Sequence, residues 1–300
     1  MKGLVIRTQS GFYTIWTESG NLTCQLRGKL KQVRLNGDVI AVGDWVEFSR
    51  VSETIGMIEQ ILPRKRLISR MSPQPKGAYE QILIANPDQI VLVFSFADPA
   101  PRLGMLDRFL VIAEKSGVPP LIVVNKLDLK NMDVLQETFQ PYQDLSYPVL
   151  FTCTKNGYGV EKLHQALIGN ISLFTGPSGV GKSSLLNAIQ PGLGLIVKEI
   201  SRSTSKGRHT TVVRELFALD AGGWVADTPG LKALALWDIE PEELDGYFPE
   251  FRLLVAACQF SNCTHQHEPG CAIIQAVEEG SINSLRYESY LRLREGINEE

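Results

Sequence analysis

Ile171-Ser172-Leu173-Phe174-Thr175-Gly176-Pro177-Ser178-Gly179-Val180-Gly181-Lys182-Ser183-Ser184-Leu185-Leu186-Asn187 is the stretch that decides the fold. Five residues of buried-strand character run into G-x-x-x-x-G-K-S, and a helical pattern follows at once. In that context the glycines let the backbone curl so that successive N–H groups face phosphate oxygens, and the helix N-terminus adds partial positive charge. Gly176, Pro177, Ser178, Gly179, Val180, Gly181, Lys182, Ser183 and Ser184 are therefore expected to cradle a nucleotide's phosphates. Lys182 would reach the β- and γ-phosphates, and the Ser183 hydroxyl would ligate Mg²⁺. The loop alone does not choose between ATP and GTP.

Outward from this loop the texture is that of a parallel sheet. Apolar runs at 89–96, 120–124, 148–152, 171–175 and 224–228 alternate with amphipathic segments such as Met105–Lys115 and Val160–Leu167. Such spacing predicts strands covered by helices on both faces. Asn125-Lys126-Leu127-Asp128 ends the second run. Guanine presents N1–H and N2–H₂ as donors that the Asp128 carboxylate can accept together, whereas adenine would leave a buried carboxylate unpaired. Asn125 can hydrogen-bond the base and neighbouring loops, and the Lys126 stem can lie over the ring. Thr152-Cys153-Thr154-Lys155, after the next run, is a second candidate base loop through Thr152 and Cys153.

Asp227-Thr228-Pro229-Gly230 closes the last run as D-x-x-G: Asp227 would hold Mg²⁺ through water and the Gly230 N–H would sense the γ-phosphate. The polar stretch 201–211 before it supplies a switch threonine, Thr210 or Thr211. These motifs stand in permuted order, with the base reader ahead of the phosphate loop. Loops at strand ends need only converge in space, so a permutation preserves such a site. It also makes the γ-phosphate loop feed directly into the C-terminal segment, and a mechanical relay of nucleotide state into that segment is expected.

Cys258-x₄-Cys263-x-His265-x₅-Cys271 offers three thiolates and an imidazole within fourteen residues, a full tetrahedral set for one closed structural Zn²⁺. His267 competes with His265 on spacing alone. Residues 1–70 read as short strands with turn punctuation, including the period-two alternation Asp44-Trp45-Val46-Glu47-Phe48, and suit a small OB-type barrel. The expected organisation is a barrel over 1–71, a breaker-rich linker over 72–80, a nucleotide domain over 81–237 and a helical zinc segment over 238–300.

The net charge of −3 conceals an asymmetry: residues 1–72 hold 11 Lys and Arg against 6 Asp and Glu. A basic module on an acidic body points to a polyanionic partner. No apolar run reaches the roughly 18–20 residues of a membrane span. Arg7, Gln9 and Ser10 interrupt the opening stretch, which reads against a signal peptide, and three of five cysteines crowd into one cluster. A cytoplasmic protein is expected. No heptad seam or long apolar helix is visible, so a monomer is expected.

Taken together, the strand-rich start with G-D-W-V, N-K-L-D, G-P-S-G-V-G-K-S-S-L-L-N, G-R-H-T-T, D-T-P-G and the cysteine–histidine cluster resemble the circularly permuted GTPases of the RsgA (YjeQ/YloQ) type, which act in small-ribosomal-subunit biogenesis. The resemblance covers essentially the whole chain. It implies an N-terminal OB-fold, a central GTPase domain and a zinc domain. It also implies GTP hydrolysis to GDP stimulated by the 30S subunit, with the protein bound during late maturation of the rRNA. Leu231 stands where many GTPases carry a water-orienting Gln, so intrinsic hydrolysis should be slow, of the order of 10⁻⁴–10⁻³ s⁻¹. The resemblance points to His209 as the substitute catalytic group, beside Lys182 and Asp227. A GTP-dependent scaffold without an rRNA partner, and an ATP-using metabolic enzyme, are the competing readings; N-K-L-D argues against the latter.

Overall fold

The computed structural model describes residues 1–31, 38–71, 80–129, 132–193, 214–227 and 239–296. Five strands form the N-terminal barrel: β1 (Lys2–Gln9), β2 (Phe12–Thr17), β3 (Gly20–Leu26), β4 (Trp45–Arg50) and β5 (Ile55–Ile61), with a short helix α1 (Gly28–Lys31) after β3. Their order is β1-β2-β3-β5-β4, and β4 pairs back onto β1 to close the ring. Side chains alternate between faces along each strand. Val5, Ile15, Leu22, Cys24, Val46, Phe48 and Ile58 therefore fill the interior. Leu4 and Ile6 point outward and join the core of the adjoining α/β sheet.

Strand pattern extends over residues 38–51, yet β4 starts only at Trp45. The Asp44 side chain explains the difference. It is fully buried, accepts the Ala41 N–H at 2.8 Å and receives both Arg64 Nε and Nη2 at 2.7 Å. This bidentate pair folds residues 39–44 into a loop that carries the chain into the barrel.

β6 (Leu67–Met71) and β7 (Glu80–Ala85) form an antiparallel ribbon on either side of residues 72–79, which lie outside the described residues. The α/β part follows as β8 (Gln89–Ser95), α2 (Leu103–Ser116), β9 (Pro120–Asn125), α3 (Met132–Asp144), β10 (Val149–Phe151), α4 (Val160–Leu167), β11 (Ile171–Thr175), α5 (Lys182–Ile189), β12 (Arg214–Ala218) and β13 (Trp224–Asp227). Strand order is β10-β9-β8-β11-β13-β12, parallel except for β12. Both faces are covered, as the apolar runs require. Leu92, Phe94, Ile122 and Val124 meet α2 and α3 on one side. Val91, Val93, Leu121 and Val123 meet α4 and α5 on the other.

β12 also pairs with β1, through Arg7↔Glu215 and Thr8↔Arg214, so the sheet runs without a break into the barrel as eleven strands. Trp16 of the barrel meets Trp224 of β13 edge-on, with ring centroids 5.6 Å apart.

The C-terminal segment holds 3₁₀ turns at Pro241–Tyr247 and Val255–Ala257, and helices α6 (Pro249–Arg252), α7 (Ala272–Glu278) and α8 (Ser284–Arg294). Asn283 caps α8 by accepting the Leu285 and Arg286 N–H groups. Phe248, Phe251, Ile273 and Tyr290 form its core together with Val111 of α2. Arg286 is 2 % exposed and fastens the segment to α2: it donates to Asp107 at 2.7 Å and to both Glu250 oxygens at 2.8 and 3.0 Å, while its plane lies over Phe248 at 4.8 Å. Tyr142 of α3 completes the group by donating to Asp107 at 2.9 Å. Burial pushes the Asp107 carboxyl upward, against the pull of Arg286. Among the described residues no helix is long and apolar enough to cross a membrane.

Candidate functional site

In a sheet wound in two directions, ligands sit outside the carboxyl ends of the strands where the winding reverses. Here the chain moves from β8 to β9 and β10 on one side, then returns to β11 and continues to β13 on the other. The reversal lies between β8 and β11. The described residues of the nucleotide motifs sit along this edge, at the ends of β9, β10, β11 and β13.

The loop after β11 is set by its glycines. Gly176 has φ +139°, and a Cβ there would lie 2.0 Å from the Val93 carbonyl oxygen of the neighbouring strand. Gly181 has φ +96°, and a Cβ there would meet Asn125 Nδ2 at 2.4 Å. Only glycine permits this backbone at this distance. Lys182, the first residue of α5, curls back over the loop and donates to the Gly176 and Pro177 carbonyls at 2.7 and 2.8 Å. Val180 is buried beneath the loop, whereas Ser178, Gly179 and Ser184 are exposed and Ser183 is half-buried.

Asn125 is the hinge pin of the site. It is 1 % exposed, donates from Nδ2 to the Val180 carbonyl at 3.0 Å and accepts the Thr152 hydroxyl at 3.3 Å. One amide thus holds three segments together: the N-K-L-D turn, the phosphate loop and the loop after β10. Lys126 takes a left-handed φ of +66° and donates to the Asp98 carbonyl in the loop after β8. That loop is pinned in turn by the Ser95 hydroxyl on the Pro99 carbonyl at 2.8 Å. Leu127 opens a 3₁₀ turn, Leu127–Leu129.

Asp128 points out of this turn and is exposed. It pairs with Lys155, and the Cys153 thiol donates to its other oxygen at 3.5 Å. The Lys155 hydrogen bond holds the Asp128 carboxyl below the usual carboxylate range. Cys153 is itself buried, so it backs the carboxylate without facing solvent.

Asp227 is the last residue of β13 and stands in register with Phe174 of β11, two residues before Gly176. His209, Thr210, Thr211, Gly230 and Leu231 lie outside the described residues. Two contributors carried no signal of their own: Asp98, whose carbonyl braces Lys126, and Ser95, which fixes that loop. A short polar turn at a strand end is too common a pattern to single them out.

At the far end of the chain, Cys258, Cys263, His265 and Cys271 bring one ligand atom each within 4.8 Å of one another. His265 is fully buried and presents Nδ1, which lies 3.6 Å from Cys258 Sγ and 3.3 Å from Cys271 Sγ. Its Nε2 faces the Asp245 carboxylate at 3.3 Å, the arrangement that orients an imidazole ligand and raises its basicity. Tyr287 donates to the His265 carbonyl at 2.6 Å and Tyr290 to that of Thr264 at 3.1 Å. His267 is exposed and outside the cluster. Three soft thiolates and one imidazole fit a structural Zn²⁺, and the set leaves no fourth position for water. Asp245, twenty positions upstream, could not be read from ligand spacing.

Comparison with known proteins agrees with this architecture. A family model described as RsgA GTPase matches residues 61–237, and one described as RsgA N-terminal domain matches residues 2–58. The small ribosomal subunit biogenesis GTPase RsgA of Gemmatimonas aurantiaca is 43% identical over 299 residues, covering 98% of this chain and 97% of the relative. The protein of the same name from Moorella thermoacetica is 42% identical over 97% of this chain and 95% of its own. Among solved structures, YjeQ from Thermotoga maritima superposes with a TM-score of 0.81 at 40% identity, covering 99% of this chain and 98% of that one. YloQ, described as a circularly permuted GTPase, superposes with a TM-score of 0.76 at 31% identity, covering 99% and 94%. With the phosphate loop, the N-K-L-D turn and the closed barrel arranged on one continuous sheet, the chain belongs to the RsgA family of circularly permuted GTPases.

Proposed function

We propose that the chain is a GTP phosphohydrolase that binds the small (30S) ribosomal subunit and acts in late maturation of its rRNA, with hydrolysis stimulated by the subunit. The observation that carries the nucleotide half is the Asn125 amide, which ties the base-reading turn to the phosphate loop. Asp128 follows β9 and Lys182 follows β11, with only β8 between them. At about 4.8 Å per strand this is roughly 10 Å across the sheet, so one nucleotide reaches both.

In this reading Asp128 accepts the guanine N1–H and N2–H₂, and Lys126 covers the ring. Gly176 to Ser184 wrap the phosphates, and Lys182 leaves the carbonyls of its own loop for the β- and γ-phosphate oxygens. Ser183 and Asp227 would hold Mg²⁺, which neutralises charge on the transferring phosphoryl group. Thr210 or Thr211 and Gly230 would sense the γ-phosphate. His209 would orient the attacking water in place of the missing Gln, so His209→Ala should abolish stimulated turnover while sparing GTP binding; unchanged stimulated turnover removes that role.

The partner half rests on the basic N-terminal residues, the OB-type barrel and the names of the relatives. Phosphate contacts from such a module would weaken with salt. A monomeric, cytoplasmic protein loaded with one Zn²⁺ at Cys258, Cys263, His265 and Cys271 completes the reading. The deciding experiment is co-sedimentation with 30S particles in a non-hydrolysable GTP analogue, alongside GTP turnover with and without particles. GTP binding without co-sedimentation would leave a GTP-dependent scaffold; tighter binding of ATP than GTP would overturn the guanine assignment.

A further inference from the structure

A second cleft opens at the opposite end of the parallel strands. It lies where the barrel meets the α/β sheet, has a volume of about 380 Å³, and is bordered by Asp88 just before β8, Ile171 at the start of β11 and Trp224 at the start of β13. Nucleotide chemistry at the other end of these strands does not reach it.

Barrel register builds its aromatic wall. Leu4 of β1 is paired with Trp16 of β2 on one side and with Trp45 of β4 on the other, so the three side chains form one row on the outer face. Leu4 is buried at the floor, Trp16 is steadied edge-on by Trp224, and Trp45 is 39 % exposed. Trp16 and Trp45 are two strand spacings apart, about 9–10 Å.

Cations stand at the mouth. Of the basic residues clustered after β5, Arg64 is consumed by Asp44 and Arg70 donates to Gln81. Lys65 and Arg66 line the cleft and form no ion pair with a described residue. Two other polar residues of the rim are already engaged. Asn86 receives the Lys65 N–H and donates to the Gly43 carbonyl, and Asp88 accepts the Ile171 N–H at 2.8 Å. What the cleft offers a ligand is an indole-bearing apolar wall beside Lys65 and Arg66, with the Asp88 carboxylate on the same rim. Clefts of about 300–1,000 Å³ with this chemistry hold small planar ligands, and aromatic faces beside cations are the means by which proteins hold unpaired bases.

We propose that this cleft takes one unpaired nucleotide of single-stranded RNA, its base against Trp45 and its phosphate on Lys65 and Arg66. The proposal rests on the reading that the chain binds rRNA, and it names the chemistry of one contact. Trp45 is the residue to alter, because its exposure spares the packing that Trp16 shares with Trp224.

The test titrates the zinc-loaded full-length protein with hexa-adenylate RNA at low salt, following binding by anisotropy of the labelled oligonucleotide. Stacking on one aromatic ring corresponds to roughly a 5- to 150-fold change in affinity. Trp45→Ala should lose affinity within that range while GTP binding stays unchanged. Lys65→Ala with Arg66→Ala should weaken binding and flatten its salt dependence, by about 0.7 in log–log slope for each phosphate that is no longer neutralised. No binding by the parent protein, unchanged affinity in a folded Trp45→Ala, or equal competition by a six-base-pair duplex or by oligoglutamate would each overturn the proposal. Co-sedimentation with small subunits, run in parallel, separates the two ideas. Parent protein that fails to pellet removes the ribosomal reading, whereas Trp45→Ala protein that pellets and binds hexa-adenylate like the parent removes only the cleft.

Discussion

At the scale of single residues, Asp128 and Asn125 divide two duties that a four-letter motif runs together. Asp128 is exposed and charged, ready for a ligand, whereas Asn125 is buried and structural, joining loops that lie 27 and 55 residues away. Asp128→Asn should weaken GDP and GTP by roughly 10- to 150-fold, the cost of a charge-assisted hydrogen bond worth about 1.5–3 kcal/mol; calorimetric titration measures it. A loss shared equally with ATP would show that Asp128 does not read the base. The Lys155 hydrogen bond depresses the Asp128 pKa, so the charged form persists as pH falls and is lost only below the ordinary carboxylate range. Guanine affinity should therefore be level between pH 7 and pH 5. Lys155→Ala removes the cause, and its loss of affinity should begin at higher pH than in the parent.

At the scale of elements, the C-terminal helices depend on two sets of buried polar groups. On the zinc reading proposed above, a chelator should release α6 to α8, because four converging ligands are then left unbridged in a small segment. Hydrogen exchange would show lost protection over 249–294 with β8 and β9 unaffected; unchanged protection would show that the segment folds without the ion. Arg286 is the second set. Arg286→Ala leaves Asp107 and Glu250 charged and buried, at a cost of about 3–5 kcal/mol. Thermal unfolding should register this loss. Arg286→Met combined with Asp107→Asn and Glu250→Gln should recover part of it, since no uncompensated charge remains.

At the scale of the whole molecule, α2 is common ground. It follows the β8 loop that braces Lys126, and it carries Asp107 and Val111 against the C-terminal segment. The D-x-x-G strand feeds the same segment along the chain. A nucleotide-dependent change at the sheet edge would thus have two routes to the segment that carries the Cys258–Cys271 cluster. Exchange protection over 239–296 should differ between GDP and a non-hydrolysable GTP analogue. Identical protection in the two states would end the relay idea.

Much of this molecule is legible from its sequence. G-x-x-x-x-G-K-S after an apolar strand, N-K-L-D after another, and Cys-x₄-Cys-x-His-x₅-Cys are local patterns that spacing brings to notice, although the choice of His265 over His267 came only with burial. The apolar runs announced a covered sheet, since burial on both faces leaves its mark on every residue. Pairings between segments distant in sequence were not legible. Nothing in Arg214–Ala218 announces that β12 pairs with β13 and also with β1, because an edge pairing is satisfied by backbone groups that every residue has. Asp245 behind His265, Arg286 between Asp107 and Glu250, and the row Trp16–Leu4–Trp45 depend on which elements the fold sets side by side. Local chemistry was written in the sequence; the partners of each buried charge and aromatic ring were decided only when packing brought remote segments together.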